Sequence, residues 1–91
     1  MNQLKKCMEF LKANGFEQLI EVVDYPRAED EYYSFLKPDC IQLDVAKDGS
    51  EIVFIDESGD YLTIDCSYYA LIGALLEQRI IGCNYVPIKE N

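Results

Sequence analysis

The side chains with chemical reach in this sequence are four cysteines, Cys7, Cys40, Cys66 and Cys83, and a set of carboxylates crowded into its middle. Histidine is absent, so the commonest general base and the commonest neutral metal ligand are both missing. No Ser-His-Asp or Cys-His arrangement can form within one chain. No G-x-x-x-x-G-K-S/T or G-x-G-x-x-G run is present to cradle a phosphate. Carboxylate or thiol chemistry remains. The cysteines are far apart in sequence with no C-x-x-C, whereas zinc sites pair their ligands at short spacing; neither a metal nor a cofactor is expected. Each cysteine sits among apolar neighbours, where a thiol behaves as a small hydrophobe. Cys66 precedes a helix whose dipole lowers a thiol pKa, but Asp65 beside it pushes the other way, and the balance reads as inert.

The carboxylates offer two constellations. Asp56, Ser58 and Asp60 have the alternate spacing of an oxygen cage, but a calcium loop needs Gly at its sixth position and Glu at its twelfth. Those places hold Tyr61 and Ser67, and the run reads as a polar hairpin tip. Asp44 and Asp56 fall on neighbouring strands, where an acid–base couple could form across the sheet; the plainer reading is a pair of outward carboxylates on a solvated face. The formal net charge is −9, and it is uneven: residues 17–65 hold fourteen acids and three bases, the remainder three acids and five bases. Such a field repels nucleic-acid phosphates and favours a basic partner. Lys5, Lys6 and Lys12 on the first helix form a weak complement to it. The seven tyrosines include the adjacent pairs Tyr32-Tyr33 and Tyr68-Tyr69, in which one ring can enter the core while the other meets solvent or a partner.

The elements that must position these groups follow from periodicity. Leu4, Cys7, Met8 and Leu11 share one face of a helix over residues 2–14, stopped by Asn14-Gly15, with Phe16 closing onto the last turn. Residues 17–25 fit a strand or a helix; their β-branched content favours the strand, ended by Pro26. Residues 26–31 read as a polar loop. Tyr32 to Leu36 is a short aromatic strand. Ile41, Leu43 and Val45 alternate inward against Gln42 and Asp44 outward. Turns at Lys47–Ser50 and Glu57–Asp60 separate this strand from Ile52–Asp56 and then Tyr61–Cys66, giving an antiparallel meander. Ser67 caps a helix from Tyr68 to Ile81 that Gly82 ends. The tail after it is expected to add a short edge strand, blocked from further pairing by Pro87. The fold class is α+β, one domain over residues 1–91: helix, mostly antiparallel four- to five-stranded sheet, helix packed on the sheet.

That last helix is apolar around much of its circumference. Tyr68, Tyr69, Leu71, Ile72, Leu75, Leu76 and Arg79, with Tyr85 beyond it, form the candidate contact surface for a second chain. Ala70, Gly73 and Ala74 are expected to make a thin strip that admits a close neighbour.

The acidic double hairpin IQLDVAKDGSEIVFIDESGDYLTID, running into YYALIGALLEQRI, resembles the small uncharacterised α+β proteins carried on integron-type mobile gene cassettes of bacteria. The resemblance implies a bacterial, cytoplasmic protein; it supplies no shared mechanism and no functional residue. The N-terminus breaks its apolar positions with charges, unlike a secretory leader. No apolar run reaches the roughly 18 residues that would span a membrane. Free thiols in a reducing cytoplasm fit both. The expectation is a non-enzymatic binding module that self-associates as a dimer. The alternatives are an acidic, phosphate-mimicking inhibitor of a basic protein, and a small carboxylate- or thiol-dependent hydrolase.

Overall fold

A computed structural model describes residues 2–19 and 31–89. Its elements, in order, are α1 (Gln3–Ala13), β1 (Glu17–Gln18), β2 (Tyr32–Lys37), β3 (Ile41–Ala46), β4 (Ile52–Ile55), β5 (Tyr61–Ile64) and α2 (Tyr68–Glu77). The five strands lie side by side in sequence order, every neighbour antiparallel. The expected α+β fold is the fold observed. Of the strand expected over residues 17–25, Glu17–Gln18 pairs with β2; residues 20–30, with most of the expected polar loop, lie outside the described residues.

Register fixes which side chains share a face. Phe35, Leu43 and Phe54 form one row across β2, β3 and β4, and Val45 and Ile52 lie in the row beside it. All five are buried, and with α1 and α2 they make the core. The helices lie on this one face and touch each other as well as the sheet. Phe10 is the hinge of that packing: fully buried, it meets Tyr68 and Tyr85 edge-on at ring-centroid distances of 5.5 and 5.6 Å, the geometry that aromatic quadrupoles prefer. Gln3 Oε1 accepts the Tyr68 N–H at 2.8 Å, so α1 supplies a cap for the first turn of α2 beside the expected Ser67, whose Oγ accepts from Ala70 N–H.

Helix α1 ends as its sequence predicts. Gly15 takes φ +91°, and Phe16 N–H reaches Leu11 O at 3.0 Å. Helix α2 does not run to Gly82. It ends at Glu77 because Arg79 adopts the left-handed conformation, φ +59°. Arg79 N–H then bonds Leu76 O at 3.1 Å and Ile80 N–H bonds Leu75 O at 2.9 Å, a closing pair that satisfies two end carbonyls and seats half-buried Ile80 on the core. The expected edge strand after it does not form. The tail is pinned to α1 instead: Asn14 Nδ2 donates to Val86 O and Asn14 Oδ1 accepts from Val86 N–H, both at 2.8 Å. Ile88 N–H donates to the Tyr68 hydroxyl at 3.1 Å.

Candidate binding surface

The residues marked by sequence for contact with a second chain do not form a surface. Tyr68, Leu71, Ile72 and Leu75 are buried in the chain's own core, and Leu76 and Tyr85 are half-buried against it. Only Tyr69, 73% exposed, and Arg79 project into solvent. The reason is that α2 is gripped from two directions, by the sheet and by α1, which covers the apolar excess that periodicity left unassigned. The Tyr68-Tyr69 pair divides as expected, one ring in and one out. The small-residue strip divides: Ala70 and Gly73 are solvent-facing, and a Cβ built on Gly73 meets nothing within 4 Å, while Ala74 is half-buried against the chain's own core.

The carboxylate constellations resolve as structure. Asp56 Oδ1 accepts the N–H groups of Ser58 and Asp60 at 2.9 and 3.0 Å, so the alternate spacing is that of a side chain organising its own turn. Gly59 completes it at φ +84°. Among the described residues no cluster of three or more acidic or cysteine ligands is placed to hold a metal ion. Asp44 faces Val53 in the β3–β4 register, and Asp56 lies beyond the end of β4; the two are not cross-strand neighbours, so the acid–base couple is not formed.

The thiols divide into two classes. Cys40 and Cys83 are exposed, Cys7 and Cys66 buried. Burial pushes the Cys7 thiol up to about 12, reinforced by Cys66, with which it shares a hydrogen bond. Burial also raises Cys66, against the lowering effect of that same bond. A thiol so disfavoured as thiolate is a poor nucleophile at neutral pH, in keeping with the inert reading.

What sequence did not reveal is the far side of the sheet. Tyr32, Asp44, Val53, Ile55, Tyr61 and Thr63 occupy the face turned away from the helices, and with Glu31, Gln42, Glu51 and Gly59 they line an open concavity of about 510 Å³. Its floor is apolar, formed by half-buried Val53 and Ile55. Tyr61, 76% exposed, stands at one side. Its rim is acidic. Asp44 was expected to be a solvated outward carboxylate. It does point to that face, but it is only 8% exposed, and Gln42 Nε2 donates to its Oδ1 at 3.0 Å. Tyr32 donates its hydroxyl to Glu51 Oε2 at 3.0 Å; that bond to a carboxylate is the main cause raising the Tyr32 pKa. At one end the concavity continues into a smaller hollow of about 410 Å³ containing Asp48 and Lys47. Ser50 holds Asp48 ionised, lowering its pKa through hydrogen bonds from its hydroxyl and its N–H. At the other end a hollow of about 280 Å³ includes Asp39, Asp56 and Glu57 with Lys37. Lys37 Nζ donates to Ile80 O at 2.8 Å, and Lys47 Nζ sits 5.2 Å from the centre of the Tyr33 ring.

The local sequence signal for this surface was present in the outward positions Gln42, Asp44, Val53, Ile55, Tyr61 and Thr63. A solvated face would carry polar residues throughout; here apolar and aromatic side chains are interleaved with carboxylates. None of the described helices is long and apolar enough to cross a membrane. No protein family, curated protein or solved structure matches the chain.

Proposed function

We propose that this chain is a small acidic, non-enzymatic binding module whose outer sheet face receives a positively charged partner protein. The observation that carries the reading is the combination on one concave face: carboxylates of Glu31 and Glu51 beside an apolar floor of Val53 and Ile55, with the nearly buried Asp44 set into that face and Tyr32 and Tyr61 at its sides. Carboxylates supply steering and charge selection. The apolar floor and tyrosines supply area that gains from leaving water. A second copy is a poorer occupant of this face than a basic protein, because it brings the same charge of −9. For self-association through α2, only Tyr69 and Arg79 of the eight marked residues are exposed. Hydrolysis has less support still, since the buried thiols are held protonated and the Asp44–Asp56 couple is absent.

The test is fluorescence polarisation of a labelled Lys-rich peptide and a Glu-rich peptide of equal length, titrated with the protein at low and high salt. The Lys-rich peptide should bind and the Glu-rich one should not. Affinity should fall by about tenfold or more between roughly 50 and 300 mM salt, as screening shortens the Debye length. Substituting Glu31→Lys with Glu51→Lys should abolish the preference. Equal affinity for both peptides, or no salt dependence, defeats the proposal.

A further inference from the structure

Strand β5 closes the sheet on one side with β4 as its neighbour, and no other described strand pairs with its outer edge. Its side chains are mostly solvent-facing, including Tyr61 at 76% and Leu62 at 47% exposure. Its backbone is available as well. Asp56 N–H donates to Asp60 O at 3.0 Å, which makes Asp56 and Asp60 a hydrogen-bonded pair of the β4–β5 ladder. Bonded and non-bonded pairs alternate along an antiparallel ladder. Leu62 and Ile64 therefore turn their amides and carbonyls to β4, while Tyr61 and Thr63 turn theirs to the open edge. Tyr61 and Thr63 also line the concavity of the outer face, so the edge and the acidic surface are continuous.

Building on the proposed function, we infer that the basic partner docks by adding a β-strand to β5: an extended segment with alternating small or apolar side chains, flanked by Lys or Arg five residues apart. The flanking requirement comes from Asp60 and Asp65, which bracket the strand at its two ends. An odd separation places the two carboxylates on opposite faces of the sheet, and an incoming strand with cations at the same odd spacing matches both. Main-chain hydrogen bonds to Tyr61 and Thr63 give affinity in this mode, and the flanking charges give selectivity.

Those carboxylates also select against a second copy. Pairing β5 with itself must match the outward groups of Tyr61 and Thr63 with their counterparts. In the antiparallel registers that do so, Asp60 of one copy lies beside the position facing Asp65 of the other, at both ends of the joint ladder. Charge at a strand edge is a known guard against edge-to-edge association.

The experiment uses the whole chain and a labelled synthetic peptide with the core Lys-Val-Thr-Val-Thr-Lys. Two twins are N-methylated, one on each set of alternate amides, so that each removes the donors on one edge of the peptide. The parent peptide should bind, one twin should lose at least tenfold in affinity, and the other should bind like the parent. Thr63→Pro in the protein should cost the same tenfold, because its amide faces the open edge and no ladder bond to β4 is lost; circular dichroism and melting verify that the variant is folded. Should it be unfolded, Asp60→Lys with Asp65→Lys, both exposed, must give the tenfold loss instead. If the parent and both twins bind alike, strand addition is wrong while the acidic-face reading survives. If no Lys peptide binds, both readings fall. A concentration-dependent dimer that Thr63→Pro dissolves would assign the edge to a second copy and overturn the inference.

Discussion

Replacing Asn14 by alanine tests how the tail is held to the body. The carboxamide makes three bonds at 2.8 Å: Nδ2 donates to Phe10 O inside α1 and to Val86 O in the tail, and Oδ1 accepts from Val86 N–H. The Phe10 bond is partly shielded and the two to Val86 are exposed. Taking about 1 kcal/mol for the shielded bond and about 0.5 kcal/mol for each exposed one, the loss is about 2 kcal/mol. For a domain of this size that lowers Tm by roughly 8–16 °C. The loss should be localised too. Val86 N–H should lose its protection from hydrogen exchange by more than the global destabilisation explains, as should Ile88 N–H, held by Tyr68 further along the tail. Asn14→Asp separates donors from shape. It keeps the acceptor for Val86 N–H, loses both donors and sets a carboxylate against two carbonyl oxygens. The folded pKa of that new carboxyl would be raised above its unfolded value near ~3.9, so the variant should regain stability as pH falls through the folded pKa. Urea denaturation at several pH values, with amide exchange by NMR, reads all of this. A change in Tm below about 2 °C for Asn14→Ala, with Val86 exchange unaltered, refutes the clasp.

Other consequences are open to simpler measurements. Ser34 Oγ is buried, on a residue 2% exposed, without a hydrogen-bond partner among the described residues; Ser34→Ala should raise stability by up to about 1 kcal/mol in urea denaturation, since an unsatisfied hydroxyl is removed, and a fall of that size would show that the hydroxyl is bonded. Arg79→Gly should stabilise by about 0.5 kcal/mol, the relief of the left-handed strain being partly offset by glycine's freedom in the unfolded chain; a lower Tm would argue against the observed helix end. Cys40 and Cys83 should react with a thiol reagent in the native state while Cys7 and Cys66 wait for unfolding, a ratio that mass spectrometry reads directly. Cys7 also gives stability a pH signature: below its unfolded value of 9.0 the thiol is protonated in both states, and between 9.0 and about 12 only the unfolded chain releases the proton. Stability should therefore fall as pH rises above 9.0, more steeply in the native sequence than in Cys7→Ala.

The meander was legible because every determinant of it is local. Ile41, Leu43 and Val45 alternate with period two, and Gly49 and Gly59 stand where the turns require positive φ. The end of α1 was legible for the same reason, in Asn14-Gly15-Phe16. What escaped is non-local or breaks a propensity. The stop of α2 lies at Arg79, where a side chain bears a conformation of about 1–2 kcal/mol cost that the two closing hydrogen bonds and the seating of Ile80 offset; a glycine rule looks past it to Gly82. The Asn14 clasp joins residues 72 apart, and no pattern in either segment announces the other. Burial of Tyr68 depended on α1, whose Phe10 packs edge-on against its ring. Periodicity shows that a face is apolar, not which neighbour takes it. The acidic concavity was half legible: the outward positions could be named, but their joining into one hollow required the register that sets Asp44 beside Val53 and Gln42 beside Ile55.

A sheet whose spatial order repeats its chain order has a kinetic meaning. From β2 to β5 every pairing is a hairpin closed by a turn of a few residues. Loop closure for each is short, and the sheet can grow by one strand at a time without waiting for a distant segment. The slow step falls to α1, whose partners Tyr68 and Val86 lie at the opposite end of the sequence. Hydrophobic surface on the helix side of the sheet is covered completely only when α1 docks, and until then carboxylates beside a strand edge, such as Asp60 and Asp65, disfavour pairing between half-built molecules.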